Sequence, residues 1–305
     1  MIIICGATAS GKSALATEIA KKINGEIVSC DSMQIYKYMD IGTAKECDLP
    51  VPQHLIDVIE PDVKFSVFDY REHAIPVIKD IISRGKTPII AGGTGLYINS
   101  LLYNMEYGGE YEDSPELKTA LQKELEEKGA EYMHNRLMQL DEKSAQKIHH
   151  NNTKRVLRAL YVVTLTGKPI SSQKAELTPI MPFKLFVVKK DRKTLAERIE
   201  KRVDVMLNNG LEKEVASLLQ KGYTFDMQSM EAIGYKEWKE YFLGTATLEE
   251  TREKIIVNTR KYAKRQDTWF NNQYKDFAVH LEENATLDEN CAKILTDYYK
   301  NTDNL

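Results

Sequence analysis

Residues 6–13 read GATASGKS, directly after the apolar run Ile2-Ile3-Ile4-Cys5. This is a complete G-x-x-x-x-G-K-[ST] loop, and its chemistry is the holding of a polyphosphate. The backbone of Gly6, Ala7, Thr8, Ala9, Ser10 and Gly11 can wrap an anion, with the two glycines allowing close approach. Lys12 supplies a point charge, and Ser13 is placed to ligate Mg²⁺. Asp31 follows the strand-like EIVSC. A carboxylate there can ligate Mg²⁺ through water or accept a proton from a nucleophile. The plainer alternative is a carboxylate that caps its own turn. Arg198 and Arg202 lie in a helical stretch after Asp191. At ~100° per residue, Arg202 falls about 20° from Leu195 and about 60° from Ile199. That sets a guanidinium at the edge of the buried stripe, where an arginine usually pairs with a carboxylate or a phosphate; the plainer alternative is a salt bridge inside the helix cap.

Two basic clusters follow. One is Lys147, His149, His150, Lys154, Arg155 and Arg158. The other is Arg252, Lys254, Arg260, Lys261, Lys264 and Arg265, accompanied by Tyr262, Trp269 and Phe270. Basic residues with aromatic neighbours suit RNA backbone contact and base stacking. Charge runs on helices are more often solvated faces.

The elements that must position these groups alternate strand and helix. Strand Ile2–Cys5 leads through the loop into a helix over Lys12–Lys22, then strand Glu26–Cys30. Leu55–Ile59 reads as another short strand. Ser66-x-x-Asp69 is a capping box that opens a helix ending near Gly85, and strand Thr87–Ala91 runs into Gly92-Gly93-Thr94-Gly95. Short apolar strands separated by helices predict an α/β fold with a parallel, doubly wound sheet, whose ligands collect at the carboxyl ends of the strands. Thr8, Asp31 and Thr94 all sit just past strand ends and should converge on one crevice. The pattern changes near Gly108. Ser114-Pro115-Glu116 caps a helical, strand-poor stretch, and Lys184–Val188 is a fresh strand. Residues 109–181 therefore read as a helical insertion in a core made of 1–108 and 182–305. From Asp191 onward the remainder reads as helical, with Thr247-x-x-Glu250 capping a long final helix.

The chain has 305 residues, 42% hydrophobic and 29% charged, enough for a sizeable core. Its formal net charge of −3 makes the whole protein no generic polyanion binder, so nucleic-acid contact must come from local patches. Cys5, Cys30, Cys47 and Cys291 have the spacing of neither a zinc site nor a disulfide frame. The first residues read as a core strand, not a signal peptide, and no apolar stretch is long enough to span a membrane. A reduced, cytoplasmic compartment is expected.

Taken together, the motifs resemble the bacterial tRNA dimethylallyltransferases, also called tRNA isopentenyltransferases or the IPP transferase family. The matching runs are GATASGKS, IVSCDSMQIYKYMDIGTAK at 27–45, PQHLIDV at 52–58 and FSVFDYREHA at 65–74. They continue with PIIAGGTGLYI at 88–98, NNTKRVLRALYV at 151–162, RIEKRVDVML at 198–207, EAIGYKE at 231–237 and TRKYAKRQDTWF at 259–270. DSMQIYKYMDIGTAK is the most specific. The resemblance covers about residues 1–270 in the family's order.

The resemblance implies a P-loop NTPase-like core. It implies transfer of a dimethylallyl group from dimethylallyl diphosphate to N6 of the adenosine at tRNA position 37, beside the anticodon, giving N6-isopentenyladenosine and diphosphate. The phosphate loop would then hold a prenyl diphosphate with Mg²⁺. Asp31 matches the general base, Thr8 a diphosphate contact, and Arg202 the arginine that holds the diphosphate from the opposite side. Asp31, Ser32, Met33, Gln34 and Thr94 match stretches that contact the tRNA. So do Lys154, Arg155, Val156, Leu157 and Arg158, in the insertion. The partners implied are a tRNA anticodon stem-loop, whose target base leaves its stack, and the prenyl diphosphate. A monomer is expected. Ala7 stands where many members have Pro, and Ser13 where several have Thr. The zinc finger of eukaryotic relatives is absent.

Three alternatives differ in class. A P-loop small-molecule kinase needs an adenine pocket, which no run identifies. A GTPase-like switch needs N-K-x-D, which does not occur. An isopentenyltransferase acting on free AMP would not need the two basic clusters.

Overall fold

The computed structural model describes residues 1–46, 49–104, 114–172, 176–283 and 285–302. The chain packs as two compact units, Met1–Leu101 with Pro179–Leu305, and Leu102–Thr178. The expected start of the insertion, residue 109, falls outside the described residues, as does Cys47.

The first unit begins with strand β1 (Ile2–Gly6), the phosphate-loop motif and helix α1 (Lys12–Lys22). Strands β2 (Gly25–Ser29) and β3 (Gln53–His54), helix α2 (Val67–Ser83), strand β4 (Thr87–Gly92) and helix α3 (Gly95–Leu102) follow. In the second unit, β5 (Tyr103–Asn104) pairs antiparallel with β6 (Glu176–Leu177). Between them lie α4 (Pro115–Leu140), α5 (Glu142–Lys147) and α6 (Thr153–Thr166). The first unit resumes with β7 (Lys184–Val188), α7 (Arg192–Asn208), α8 (Leu211–Gln220) and α9 (Trp238–Phe242). It closes with α10 (Leu248–Gln273), β8 (Val279–His280) and α11 (Leu287–Thr302).

The six-stranded sheet has the order β3-β2-β4-β1-β7-β8, and every pair in it is parallel. All five residues of β1 are buried, as a strand covered on both faces requires. Ile2 and Ile4 of β1 join Leu15, Ala16, Ile19 and Ala20 of α1 and Cys291 and Ile294 of α11 in one core cluster. The α/β parallel sheet is thus as expected. Because all strands run the same way, the loops after β1, β2 and β4 emerge at one edge.

Local signals set the helix boundaries. Ser66–Asp69 and Thr247–Glu250 are both reciprocal capping boxes at the starts of α2 and α10. Ser114 caps α4, with Pro115 at its first position.

Three expectations need correction. The third strand is Gln53–His54, not Leu55–Ile59; Leu55 and Asp57 take left-handed φ values of 61° and 55°, which no strand allows. The region after Asp191 is not wholly helical, because β8 adds a sixth strand beside β7. The helix capped by Thr247 is not the last, since α11 follows and packs on α1.

The second unit has its own core, in which Leu121, Met133 and Leu137 of α4 meet Val156, Ala159 and Leu160 of α6. Among the described residues, no helix is long and apolar enough to cross a membrane.

Candidate active site

A cavity of about 780 Å³ opens in the first unit at the carboxyl ends of the strands. Thr8, Lys12, Ser13, Asp31, Ser32, Met33, Gln34 and Arg202 all line it.

The phosphate loop owes its shape to backbone conformations that few residues adopt. Gly11 caps α1 with φ 98°, in the left-handed region that favours glycine. Ala9 also takes a left-handed φ of 63°, and Ser10 N–H bonds the Ala7 carbonyl at 3.2 Å. Lys12 Nζ reaches the same carbonyl at 3.4 Å. Ala7 packs with Ile199 of α7 and Ala263 of α10, and Ala9 and Leu195 lie against them. Those contacts fix α7 under the loop. Arg202, one turn beyond Ile199, then meets Thr8, with Nη1 donating to Oγ1 at 3.3 Å. Arg198 is exposed, and its guanidinium lies over Gly11.

Asp31 stands just past β2, where its Oδ1 accepts the Met33 N–H at 2.9 Å. Thr94 braces the turn on both sides of that aspartate. Its N–H bonds the Cys30 carbonyl at 3.1 Å, and its Oγ1 accepts the Ser32 N–H at 3.1 Å. Gln34 is committed to the wall as well. Its Oε1 accepts from Ser29 Oγ at 3.1 Å, and its Nε2 donates to the Thr43 carbonyl at 3.2 Å.

The electrostatics are those of a site built for an anion. Burial pushes the Lys12 ammonium down to about 8; the Asp31 charge opposes that shift and Arg202 adds to it. Burial also lowers Arg202, again against Asp31. Two half-buried cations thus stand beside Asp31 on the cavity, placed to hold an added polyanion between them. Tyr262 of α10 lines the cavity beside Thr94, and burial first, then the Asp31 charge, keeps its phenol protonated.

Ser13 and Thr17 offer hydroxyls on this cavity, and Thr17 Oγ1 is buried with no hydrogen-bond partner among the described residues. Ser10 Oγ in the loop is likewise buried and without a partner among the described residues. Hydroxyl and carboxylate oxygens of this kind suit Mg²⁺, a hard cation that keeps several waters and takes its other ligands from phosphates. Among the described residues no three His, Cys, Asp or Glu side chains gather as a metal site, and Mg²⁺ held in that way needs none.

The basic clusters separate. In the second unit Lys147, His149, Lys154, Arg155 and Arg158 are exposed, and Leu157 is half-buried. Val156 is buried in the core of the second unit, so its side chain is turned away from solvent. On α10, Arg252 is ion-paired with Asp204, Glu249 and Glu253, Arg260 with Glu200, and Lys254 with Glu240. These residues join α10 to α7 and α9. Phe270 is a core residue, and the Trp269 ring lies against Gly95. Of that charge run, Arg265 lines the cavity.

Two supporting residues escape the sequence reading. Glu214 of α8 accepts the N–H groups of Asp40, Ile41 and Gly42 at 2.8–3.1 Å and the Tyr235 hydroxyl at 2.6 Å, which shapes a wall of the cavity. Gln266 of α10 bonds Thr8 N–H and the Gly93 carbonyl. The signal for Gln266 is present, because it shares the buried stripe of Ala263 and Phe270 at i, i+3 and i+7.

The IPP transferase family model matches residues 34–273. A tRNA dimethylallyltransferase of Acetivibrio thermocellus is 48% identical over 304 residues, which is 98% of this chain and 96% of the relative. The structure of a tRNA isopentenylpyrophosphate transferase from Staphylococcus epidermidis is 43% identical, covers 98% of both chains and superposes with a TM-score of 0.72. A eukaryotic dimethylallyltransferase solved acting on tRNA, 28% identical, covers 99% of this chain and 79% of its own, with a TM-score of 0.84. With the family model matched over most of its length and close relatives alike from end to end, the chain belongs to the IPP transferase family.

Proposed function

We propose that this chain transfers a dimethylallyl group from dimethylallyl diphosphate to N6 of adenosine 37 in a tRNA anticodon stem-loop. The observation that carries the reading is that Lys12, Asp31 and the Thr8–Arg202 pair line one cavity. Diphosphate chemistry and proton-accepting chemistry then share one space.

The N6 amine is a weak nucleophile, because its lone pair is delocalised into the ring. In the proposed step N6 attacks C1 of the allyl group. The N–C bond forms as the C1–O bond to diphosphate breaks, and the N6 proton passes to the Asp31 carboxylate. A base within hydrogen-bond reach contributes roughly 10²–10⁴-fold to such a step. The loop N–H groups, Lys12, the Thr8 hydroxyl and Arg202 hold the departing diphosphate and stabilise the charge it gains. Ser13, with Asp31 through water, would hold Mg²⁺, which adds positive charge against that leaving group. Ile199, Val203, Met206 and Ile255 supply an apolar wall for the five-carbon group. On the second unit, the exposed Lys154, Arg155 and Arg158 of α6 suit RNA phosphates. The enzyme acts as a monomer in the cytoplasm, where tRNA is found.

Diphosphate release tests the reading. Purified protein given dimethylallyl diphosphate and Mg²⁺ should release diphosphate only when unmodified tRNA is added. Release at the same rate with free AMP would reject tRNA as the substrate, and release with neither would reject the transferase reading.

A further inference from the structure

Gln266 is a polar residue on the buried face of α10, and it is itself buried. Both ends of its amide bond backbone groups in loops at strand ends. Oε1 accepts Thr8 N–H at 2.8 Å, and Nε2 donates to the Gly93 carbonyl at 2.9 Å. These partners fix the orientation of the amide, because turning it over would oppose oxygen to oxygen and N–H to N–H. A side chain on Gly93 would collide with the amide, so the loop carries none there.

The two loops hold different halves of the chemistry. Thr8 carries the hydroxyl that Arg202 bonds at 3.3 Å, on the diphosphate side. Gly93 precedes Thr94, which grips the residues on either side of Asp31. One buried amide therefore ties the leaving-group side of the cavity to the proton-accepting side.

We infer that Gln266 is a positioning residue for prenyl transfer, whose amide sets the separation between the Thr8–Arg202 pair and Asp31. The inference rests on the transferase reading above. A displacement needs nucleophile, allylic carbon and leaving oxygen in line, and a misplacement of about 1 Å costs on the order of 10²-fold. Glutamine is the residue type the position requires. Glutamate keeps the length and one acceptor but turns an anionic oxygen toward the Gly93 carbonyl. Methionine keeps the volume without either bond, and asparagine is one methylene short.

The experiment compares the wild type with Gln266→Met and Gln266→Glu, alone and combined with Thr8→Ala. It reads kcat, KM for dimethylallyl diphosphate, tRNA affinity and thermal melting. The expected result for Gln266→Met is a kcat loss of roughly 10–100-fold at temperatures where the protein is fully folded. Its tRNA affinity should match the wild type. The loss should shrink in the Thr8→Ala background, because Gln266 holds the Thr8 backbone so that its hydroxyl meets Arg202, and Thr8→Ala already removes that hydroxyl. Should Gln266→Met not fold, Gln266→Glu carries the same expectations. A folded variant with kcat within about twofold of wild type, or losses that simply multiply with Thr8→Ala, overturns the inference. A wild type without tRNA-dependent transfer instead rejects the transferase reading on which it rests.

Discussion

Strand β2 carries a carboxylate at each end, and the two differ in what surrounds them. Glu26, near its start, is buried and saturated. Arg84 bonds both of its oxygens, at 2.5 and 2.7 Å, Lys86 lies at 2.6 Å and His54 at 2.7 Å. Those donors hold its carboxyl far below the ordinary range, Arg84 foremost. Asp31, just past the other end, accepts one hydrogen bond among the described residues, from the N–H of its own turn. Its neighbouring cations, Lys12 and Arg202, line the cavity and are lowered by desolvation rather than neutralised. A buried charge whose bonding capacity is filled by the protein holds the fold together. One that keeps spare capacity beside a cavity is available to a substrate.

The contrast breaks most sharply on Asp31. Asp31→Ala should lower kcat by roughly 10²–10⁴-fold while melting and tRNA binding stay as in the wild type, read by single-turnover transfer and thermal denaturation. An unchanged kcat would make Asp31 a turn cap. Arg202→Ala should cost on the order of 10²–10³ in kcat/KM, again with little change in stability. Glu26→Gln should do the opposite. It leaves kcat intact and lowers unfolding free energy by about 2–3 kcal/mol in urea titration, because the buried side chain at position 26 loses its charge-assisted bonds to Arg84, Lys86 and His54. The pH dependence has a definite sign. Glu26 is depressed on folding, so its contribution is complete above the ordinary carboxylate pKa and falls away as pH drops below it. Acid should therefore destabilise wild type more than Glu26→Gln. The smallest effect is on substrate affinity. Lys12 titrates at about 8 in the free protein, so KM for dimethylallyl diphosphate should climb as pH rises through that value. Lys12→Arg should flatten the climb, since arginine keeps its charge.

What the sequence reveals follows the range of the forces involved. The phosphate loop, both capping boxes and the Ser114-Pro115 helix start are legible because each is complete within a few residues. The spacing of Arg202 against Leu195 and Ile199 is legible for the same reason, since one helix face sets it. Strand β8 is not, because two residues carry no period and pairing with β7 alone makes them a strand. The charge run on α10 is misleading because its partners Asp204, Glu200 and Glu240 lie on other elements. Glu214 and Gln266 are invisible as partners because they bond backbone groups more than 170 residues away, and backbone groups leave no mark in a sequence.

The most direct measurement is a nucleoside mass spectrum of unmodified tRNA incubated with the protein, dimethylallyl diphosphate and Mg²⁺. The predicted result is one adenosine per tRNA, at position 37, carrying a single dimethylallyl group on N6, formed roughly 10²–10⁴-fold more slowly when Asp31→Ala replaces the wild type. Unmodified adenosine throughout, or equal prenylation of free AMP, would contradict it.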